Sequence, residues 1–157
     1  MELRLEKATN TDAQAILEIQ FKAFTPLLEK YKDYHTNPAN ETVERVITRI
    51  NNPNGGFYKI LCNNALVGAI CVFWREKTQF WISPMFILPE YQGKGIAQKA
   101  IHLIEELFPQ ATSWELRTIL QEERNCYLYE KIGYKRLENW KHSLNEKATL
   151  VHYIKVC

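Results

Sequence analysis

The six residues Gln92-Gly93-Lys94-Gly95-Ile96-Ala97 combine what a bound diphosphate asks of a polypeptide. Two glycines let the backbone turn tightly and approach a ligand with no Cβ in the way. The loop opens directly into a helical pattern, whose first turn leaves N–H groups unpaired at the positive end of the helix dipole. Lys94 adds a charge of the same sign. These residue types in this order predict a ligand that carries a diphosphate.

Spacing separates this loop from two common nucleotide loops. A Walker A loop places Ser or Thr directly after its lysine to hold magnesium, whereas Gly95 follows Lys94. A dinucleotide-binding loop requires a third glycine or alanine three positions past Gly95, where the chain has Gln98, and a parallel βαβ setting. An ordinary strand-to-helix turn accounts for the glycines. It does not account for Gln92, the spacing and the preceding Pro89 together.

The elements that must position this loop follow from periodicity. Leu3 to Lys7 alternates as a strand, and Thr11 and Gln14 stand at capping-box spacing before a helix whose apolar face includes Ala13, Leu17 and Phe24. Pro26 should interrupt that helix or begin a new one. Tyr31 to Thr36 reads as a loop, and Val43, Val46, Ile47 and Ile50 mark a second helix closed by Asn51 to Gly56. Phe57 to Cys62 and Ala65 to Arg75 form a hairpin about Asn63-Asn64, and Gln79 to Ile87 gives a third strand. Pro84 lacks an N–H, which predicts an edge position or a bulge in that strand. Ile96, Ala97, Ala100, Ile101, Ile104, Leu107 and Phe108 stripe the helix after the loop. Trp114 to Leu120 is then a strand, Glu123 to Ile132 a helix stopped at Gly133, and Tyr134 to Leu144 and Thr149 to Val156 closing strands. No linker or repeat divides the chain, so residues 1–157 are expected to form one domain.

Composition narrows the setting. Hydrophobic residues at 46% and charged residues at 24% match a globular domain rather than a disordered or fibrous chain. A net charge of +2 is too small for the basic stripe that nucleic acid demands. The longest apolar run, Ala69 to Trp74, is far below the roughly 20 residues of a membrane span, and Met1 to Leu5 carries no secretion signal, so a soluble cytoplasmic protein is expected. Cys62, Cys71, Cys126 and Cys157 show no metal-ligand or disulfide spacing, and no metal is expected.

Gln92, Gly95 and Ala97 resemble the signature of the GCN5-related N-acetyltransferase (GNAT) family: Gln or Arg, two residues, Gly, one residue, then Gly or Ala. Asn125 to Tyr134 is similar to that family's last helix, in which a tyrosine precedes Glu-Lys, an apolar residue, Gly and an aromatic. The order of elements agrees over nearly the whole chain. The resemblance implies an α+β fold with a central, mostly antiparallel twisted sheet of about seven strands, two of them splayed, flanked by about four helices. It implies acetyl-CoA as co-substrate, with backbone groups near Phe86, Ile87 and Leu88 along its pantetheine arm. The N–H groups of Gln92, Gly93, Lys94, Gly95, Ile96 and Ala97 would hold the diphosphate. Asn125 resembles the family's amide near the pantetheine, although that asparagine commonly stands seven residues before the tyrosine, where this chain has Glu122. Lys99, Arg124, Lys131 and Lys135 are candidates for the 3′-phosphate.

Acyl transfer to an amine needs a neutral amine, a polarised thioester and a proton for the leaving thiolate. Tyr129 matches the family's proton donor and, with an ordinary phenol pKa near 10, is protonated at neutral pH. Family members often carry a glutamate base on the strand before the loop, but Phe80 to Phe86 holds no carboxylate or histidine. Glu115, Asp33 and His35 are the candidate bases, with a water relay as the alternative. Phe24, Tyr31, Tyr34, Trp74 and Trp81 are candidates for the acceptor pocket. The expected reaction joins acetyl-CoA to a primary amine of a small molecule or protein. A non-catalytic acyl-CoA sensor of the same fold and a nucleotide-binding protein are the rivals. The apolar C-terminal strand, with Val151, Tyr153, Ile154 and Val156 placed at the sheet end, is where a homodimer would pair.

Overall fold

A computed structural model describes residues 2–157. Seven strands form one sheet: β1 (Leu3–Lys7), β2 (Gly55–Cys62), β3 (Ala65–Glu76), β4 (Gln79–Ile87), β5 (Ser113–Ile119), β6 (Lys135–Ser143) and β7 (Thr149–Val156). Four α-helices join them: α1 (Ala13–Tyr31), α2 (Val43–Ile50), α3 (Ile96–Leu107) and α4 (Glu123–Lys131). The strand order is β1-β2-β3-β4-β5-β7-β6, antiparallel throughout except where β4 meets β5. This is the expected α+β architecture.

Helices cover both faces. The apolar stripe of α3 buries Ile96, Ala100, Ile101 and Ile104 against Ile60, Ile70 and Val72 of the sheet, joined there by Cys126, Tyr129 and Ile132 of the α4 segment. Each such fully buried aliphatic side chain stabilises by roughly 1.5–3 kcal/mol, so this face anchors the loop that starts α3. On the opposite face Ala13, Ile16, Ile19 and Ala23 of α1 and Val46 and Ile50 of α2 pack on Phe57, Ala69, Cys71 and Phe86.

The central event is a divergence of β4 from β5. Parallel pairing spans only Gln79, Phe80 and Trp81 opposite Ser113, Trp114 and Glu115, and then stops. Just beyond it, Ile82 pairs with Val72 and Met85 with Ile70, so Ser83 and Pro84 together oppose the single residue Cys71. That is the bulge expected of Pro84, in a central rather than an edge strand. A bulge bends its strand and raises the local twist, which turns the rest of β4 away from β5.

Three expectations are corrected. Helix α1 runs unbroken through Pro26 to Tyr31. The lost backbone bond is tolerated because Leu27 and Tyr31 pack with Ile119 and Ala148, and the helix instead ends at Lys32, whose backbone is left-handed at φ 55°. The capping box lies two residues earlier than Thr11 and Gln14: Thr9 N–H donates to Asp12 Oδ2 at 2.8 Å, across a short 3₁₀ turn. Finally, β7 is not at the sheet end. It lies between β5 and β6, which explains its apolar character and removes the edge on which a dimer was expected. The edge strand is β6, whose exposed Lys135, Arg136, Glu138 and Lys141 discourage pairing with another copy.

Candidate active site

The phosphate loop is built as its sequence asks. A 3₁₀ turn at Pro89–Tyr91 leaves β4, and Gln92 Nε2 reaches back to donate to the Ile87 carbonyl at 2.9 Å. Gly93 at φ 77° and Gly95 at φ 80° occupy the left-handed region, which side chains disfavour. The first backbone bond of α3 runs from Lys99 N–H to the Gly95 carbonyl, so the N–H groups of Ile96, Ala97 and Gln98 have no partner within the helix. Arg124 of α4 brings Nη2 to 3.2 Å from where a Cβ on Gly93 would sit. Lys94 instead lies over the Tyr91 ring, 5.5 Å from its centroid.

A cleft of about 830 Å³ runs between the end of β4 with the loop into α3 on one side and the α4 segment on the other, closed off by α1. Phe86, Ile87, Gln92, Gly93, Gly95, Ile96, Ala97 and Asn125 line it, as do Arg124 and Lys131. Leu88, Lys94, Lys99 and Lys135 do not. Register explains the case of Leu88. Its N–H donates to the Val67 carbonyl of β3 at 2.8 Å and its carbonyl accepts from Tyr91 N–H at 2.9 Å. Because backbone groups alternate along a strand, Phe86 and Leu88 face β3 while Met85 and Ile87 face the gap. Gly68 agrees: a Cβ there would collide with the Phe86 carbonyl. The backbone groups that face the gap are therefore those of Met85 and Ile87, the Ile87 carbonyl already accepting from Gln92, and of these two residues the sequence reading named only Ile87.

A second cavity of about 290 Å³ opens from the cleft and is walled by α1, β4, β5 and the segment Asp33–Pro38. The two share Phe24, Leu27, Met85, Glu122, Asn125 and Tyr129. Tyr129 thus stands where the spaces join. Its ring packs beside Tyr134 and Tyr153, whose hydroxyls donate to Glu105 at 2.9 Å and to Glu130 at 2.6 Å. Among the described residues, no group hydrogen-bonds the Tyr129 hydroxyl. Burial, with the nearby Cys126, pushes its pKa up to about 12, so the phenol keeps its proton.

The junction also holds a carboxylate. Glu122 Oε2 accepts from the Tyr31 hydroxyl at 2.5 Å and from Lys30 Nζ at 3.0 Å. Burial and the Glu122 hydrogen bond raise the Tyr31 pKa, which keeps that hydroxyl a donor. Sequence reasoning considered position 122 only as the place of a displaced asparagine, and the signal it held was a carboxylate seven residues before Tyr129. Of the expected bases, Asp33 lines the smaller cavity, with Oδ1 accepting from Asn37 Nδ2 and Oδ2 from Thr36 Oγ1, both at 3.2 Å. Glu115 lines neither cavity and contacts His152 Nε2 at 3.0 Å, while His35 is exposed.

Among the aromatic candidates Phe24 lines both cavities, and Tyr31 lines neither but hydrogen-bonds Glu122. Tyr34 is exposed, Trp74 packs on Phe80 and Phe108, and Trp81 stacks on Phe73. Among the described residues no cluster of three or more His, Cys, Asp or Glu could hold a metal ion, and no helix is long and apolar enough to cross a membrane.

The sequence model of the family described as "Acetyltransferase (GNAT) family" matches residues 14–134. No curated protein matches the sequence significantly. Solved structures resemble the whole fold. An acetyltransferase from Thermus thermophilus superposes with a TM-score of 0.78 at 14% identity, covering 100% of this chain and 98% of that one. The ribosomal-protein-S18-alanine N-acetyltransferase of Escherichia coli gives 0.76 at 14%, covering 99% and 94%. The spermidine N-acetyltransferase of Vibrio cholerae, in complex with CoA and spermine, gives 0.78 at 14%, covering 98% and 95%. At such identities the likeness establishes the fold.

Proposed function

The chain belongs to the GNAT acetyltransferase family, and from that premise we propose that residues 1–157 act as one N-acetyltransferase domain. It moves an acetyl group from acetyl-CoA to a primary amine of a small molecule or protein by direct attack in a ternary complex. The observation that carries this reading is Tyr129, an unpartnered, protonated phenol at the junction of a long cleft and a smaller cavity. The cleft suits CoA. Its N–H groups at Ile96, Ala97 and Gln98, with Arg124 beside Gly93, face a diphosphate. The gap-facing backbone of Met85 and Ile87 suits the amides of a pantetheine arm, which would join β4 as an added strand.

Chemistry then takes place at the junction. The acceptor ammonium gives a proton to the Glu122 carboxylate, and the freed nitrogen attacks the thioester carbon. As the C–S bond breaks, Tyr129 donates its proton to the sulfur. The nitrogen sheds its second proton on becoming an amide, which restores the phenol, and Glu122 releases its own to solvent. The absence of a carboxylate from β4, the observation that favours a non-catalytic acyl-CoA sensor, is answered by Glu122. The related structures are named for acceptors as different as a ribosomal protein and spermidine, so the fold does not choose between them.

A panel of amines mixed with acetyl-CoA tests the proposal by release of free CoA. Release with some members supports transfer. Thermal stabilisation by acetyl-CoA with no release across the panel would establish the sensor, and stabilisation by ATP or NAD but not by CoA would overturn both.

A further inference from the structure

Among the described residues that line the smaller cavity, Arg117 of β5 is an exposed cation, and no carboxylate pairs with its guanidinium. Its Nε donates to His152 Nδ1 at 3.2 Å, and an Nε–H can only donate, so Nδ1 is the unprotonated nitrogen. The ring proton then sits on Nε2, which donates to Glu115 Oε1 at 3.0 Å. His152 is itself buried. The guanidinium carbon also lies over two indole rings, 4.1 Å from the Trp140 centroid and 5.3 Å from that of Trp81. His152, oriented by Glu115, thus holds the arginine by its Nε, and the two indoles lie beside its guanidinium. Its two terminal nitrogens remain available, a fork whose geometry matches a planar carboxylate.

We propose that Arg117 selects an acceptor that carries a carboxylate in addition to its amine. This deepens the acetyltransferase reading and rests on it. The charges around the cavity agree. Glu122 stands at the junction, where an ammonium must come to react, whereas Arg117 lines only the smaller cavity. The lining of the smaller cavity also includes the apolar Leu27, Ile82, Leu116 and Leu150. Asp33 is the other charged group of the wall, its two oxygens accepting from Asn37 and Thr36 of its own segment. An amino acid or a short acidic acceptor fits this arrangement. A polyamine would bring a second cation against Arg117.

The test is steady-state acetylation of matched acceptors: amino acids of increasing chain length, their amides, and a linear polyamine. A charge-assisted pair predicts a KM about 10- to 100-fold lower for the acid than for its amide, at similar kcat. Arg117→Gln should erase that gap by raising KM for the acid alone, and Arg117→Lys should restore part of it. Unchanged turnover of the amides shows that the variants are folded. Equal KM for acid and amide, or a gap that survives Arg117→Gln, overturns the proposal while leaving acetyl transfer intact. Failure of every acceptor to release CoA overturns both.

Discussion

Glu122 and Tyr31 are joined by a 2.5 Å hydrogen bond from the tyrosine hydroxyl to the carboxylate, which ties the last residue of α1 to the residue that precedes α4. The two stand 91 positions apart in sequence, and neither has a local reason to be where it is. With Lys30 on the same oxygen, Oε2 is occupied and Oε1 is left for the junction. Glu122→Gln keeps the shape but cannot take a proton. The expected result is a loss of roughly 100-fold in kcat/KM, in the range of general-base removal, with CoA affinity changed by no more than a few fold. Tyr31→Phe should fall between the two. Steady-state kinetics with a direct CoA titration check this, and an unimpaired Glu122→Gln enzyme would return the role to Asp33 or to water.

Tyr129→Phe removes the thiol's proton donor while leaving the ring in its packing against Tyr134 and Tyr153. The expected loss is about 100-fold in kcat, with acetyl-CoA binding retained. The pKa gives a second readout. Burial raises the phenol to about 12, so its proton is fully present throughout the neutral and mildly alkaline range and is lost only near that value. The kcat profile should therefore show no fall due to Tyr129 until about pH 12. A fall in kcat well below pH 12 that disappears in Tyr129→Phe would contradict the burial.

The fold is legible in the sequence because its elements carry strong local signals. The stripe from Ile96 to Ile104, the Asn63-Asn64 turn and Gly133 at φ 100° each fix an element with no tertiary information. Pro84 marks the bulge for the same reason, since a missing N–H is a local fact. What cannot be read depends on register and on chain reversal. Whether Met85 or Phe86 faces the gap is decided by the Leu88 to Val67 bond, and β7 is interior only because β6 turns outward beside it. Glu122, Lys30 and Tyr31 form one constellation that no spacing rule contains. Pro26 misleads because α1 gains its stability from packing on the sheet rather than from its own propensity.

Gly95 and Arg124 should separate conformation from charge in the phosphate loop. A Cβ on Gly95 meets nothing within 4 Å, so Gly95→Ala is resisted only by its φ of 80°, at a cost of roughly 1–2 kcal/mol. That strain turns the N–H groups away from their target, and CoA affinity should fall about tenfold or more. Arg124→Gln should leave stability unchanged, because the side chain is exposed, yet weaken CoA several-fold at low salt and less at high salt. Chemical denaturation and calorimetric CoA titration at two ionic strengths read both. Full CoA affinity in both variants would place the diphosphate elsewhere.

The wall of the acceptor cavity should respond to acid through Glu41. Its carboxylate takes both terminal nitrogens of Arg49, the second at 2.8 Å, and Gln20 Nε2 at 2.7 Å, while the same Gln20 nitrogen donates to the Pro38 carbonyl at 2.8 Å. These bonds pin the segment carrying Asp33, Thr36, Asn37 and Pro38 to α1 and α2. Burial acts to raise the Glu41 pKa, but the Arg49 pair outweighs it and the net shift is downward. A carboxylate with a lowered folded-state pKa contributes stability that is present above its unfolded value and lost as pH falls through the folded one. Glu41→Gln should therefore destabilise by about 2 kcal/mol at pH 7, a gap that shrinks as pH falls below the ordinary carboxylate value of about 4.3 and closes only below the lowered folded pKa. Urea denaturation across that range measures the difference. A gap that stays constant down to pH 3 would mean that the contribution of Glu41 is packing rather than charge.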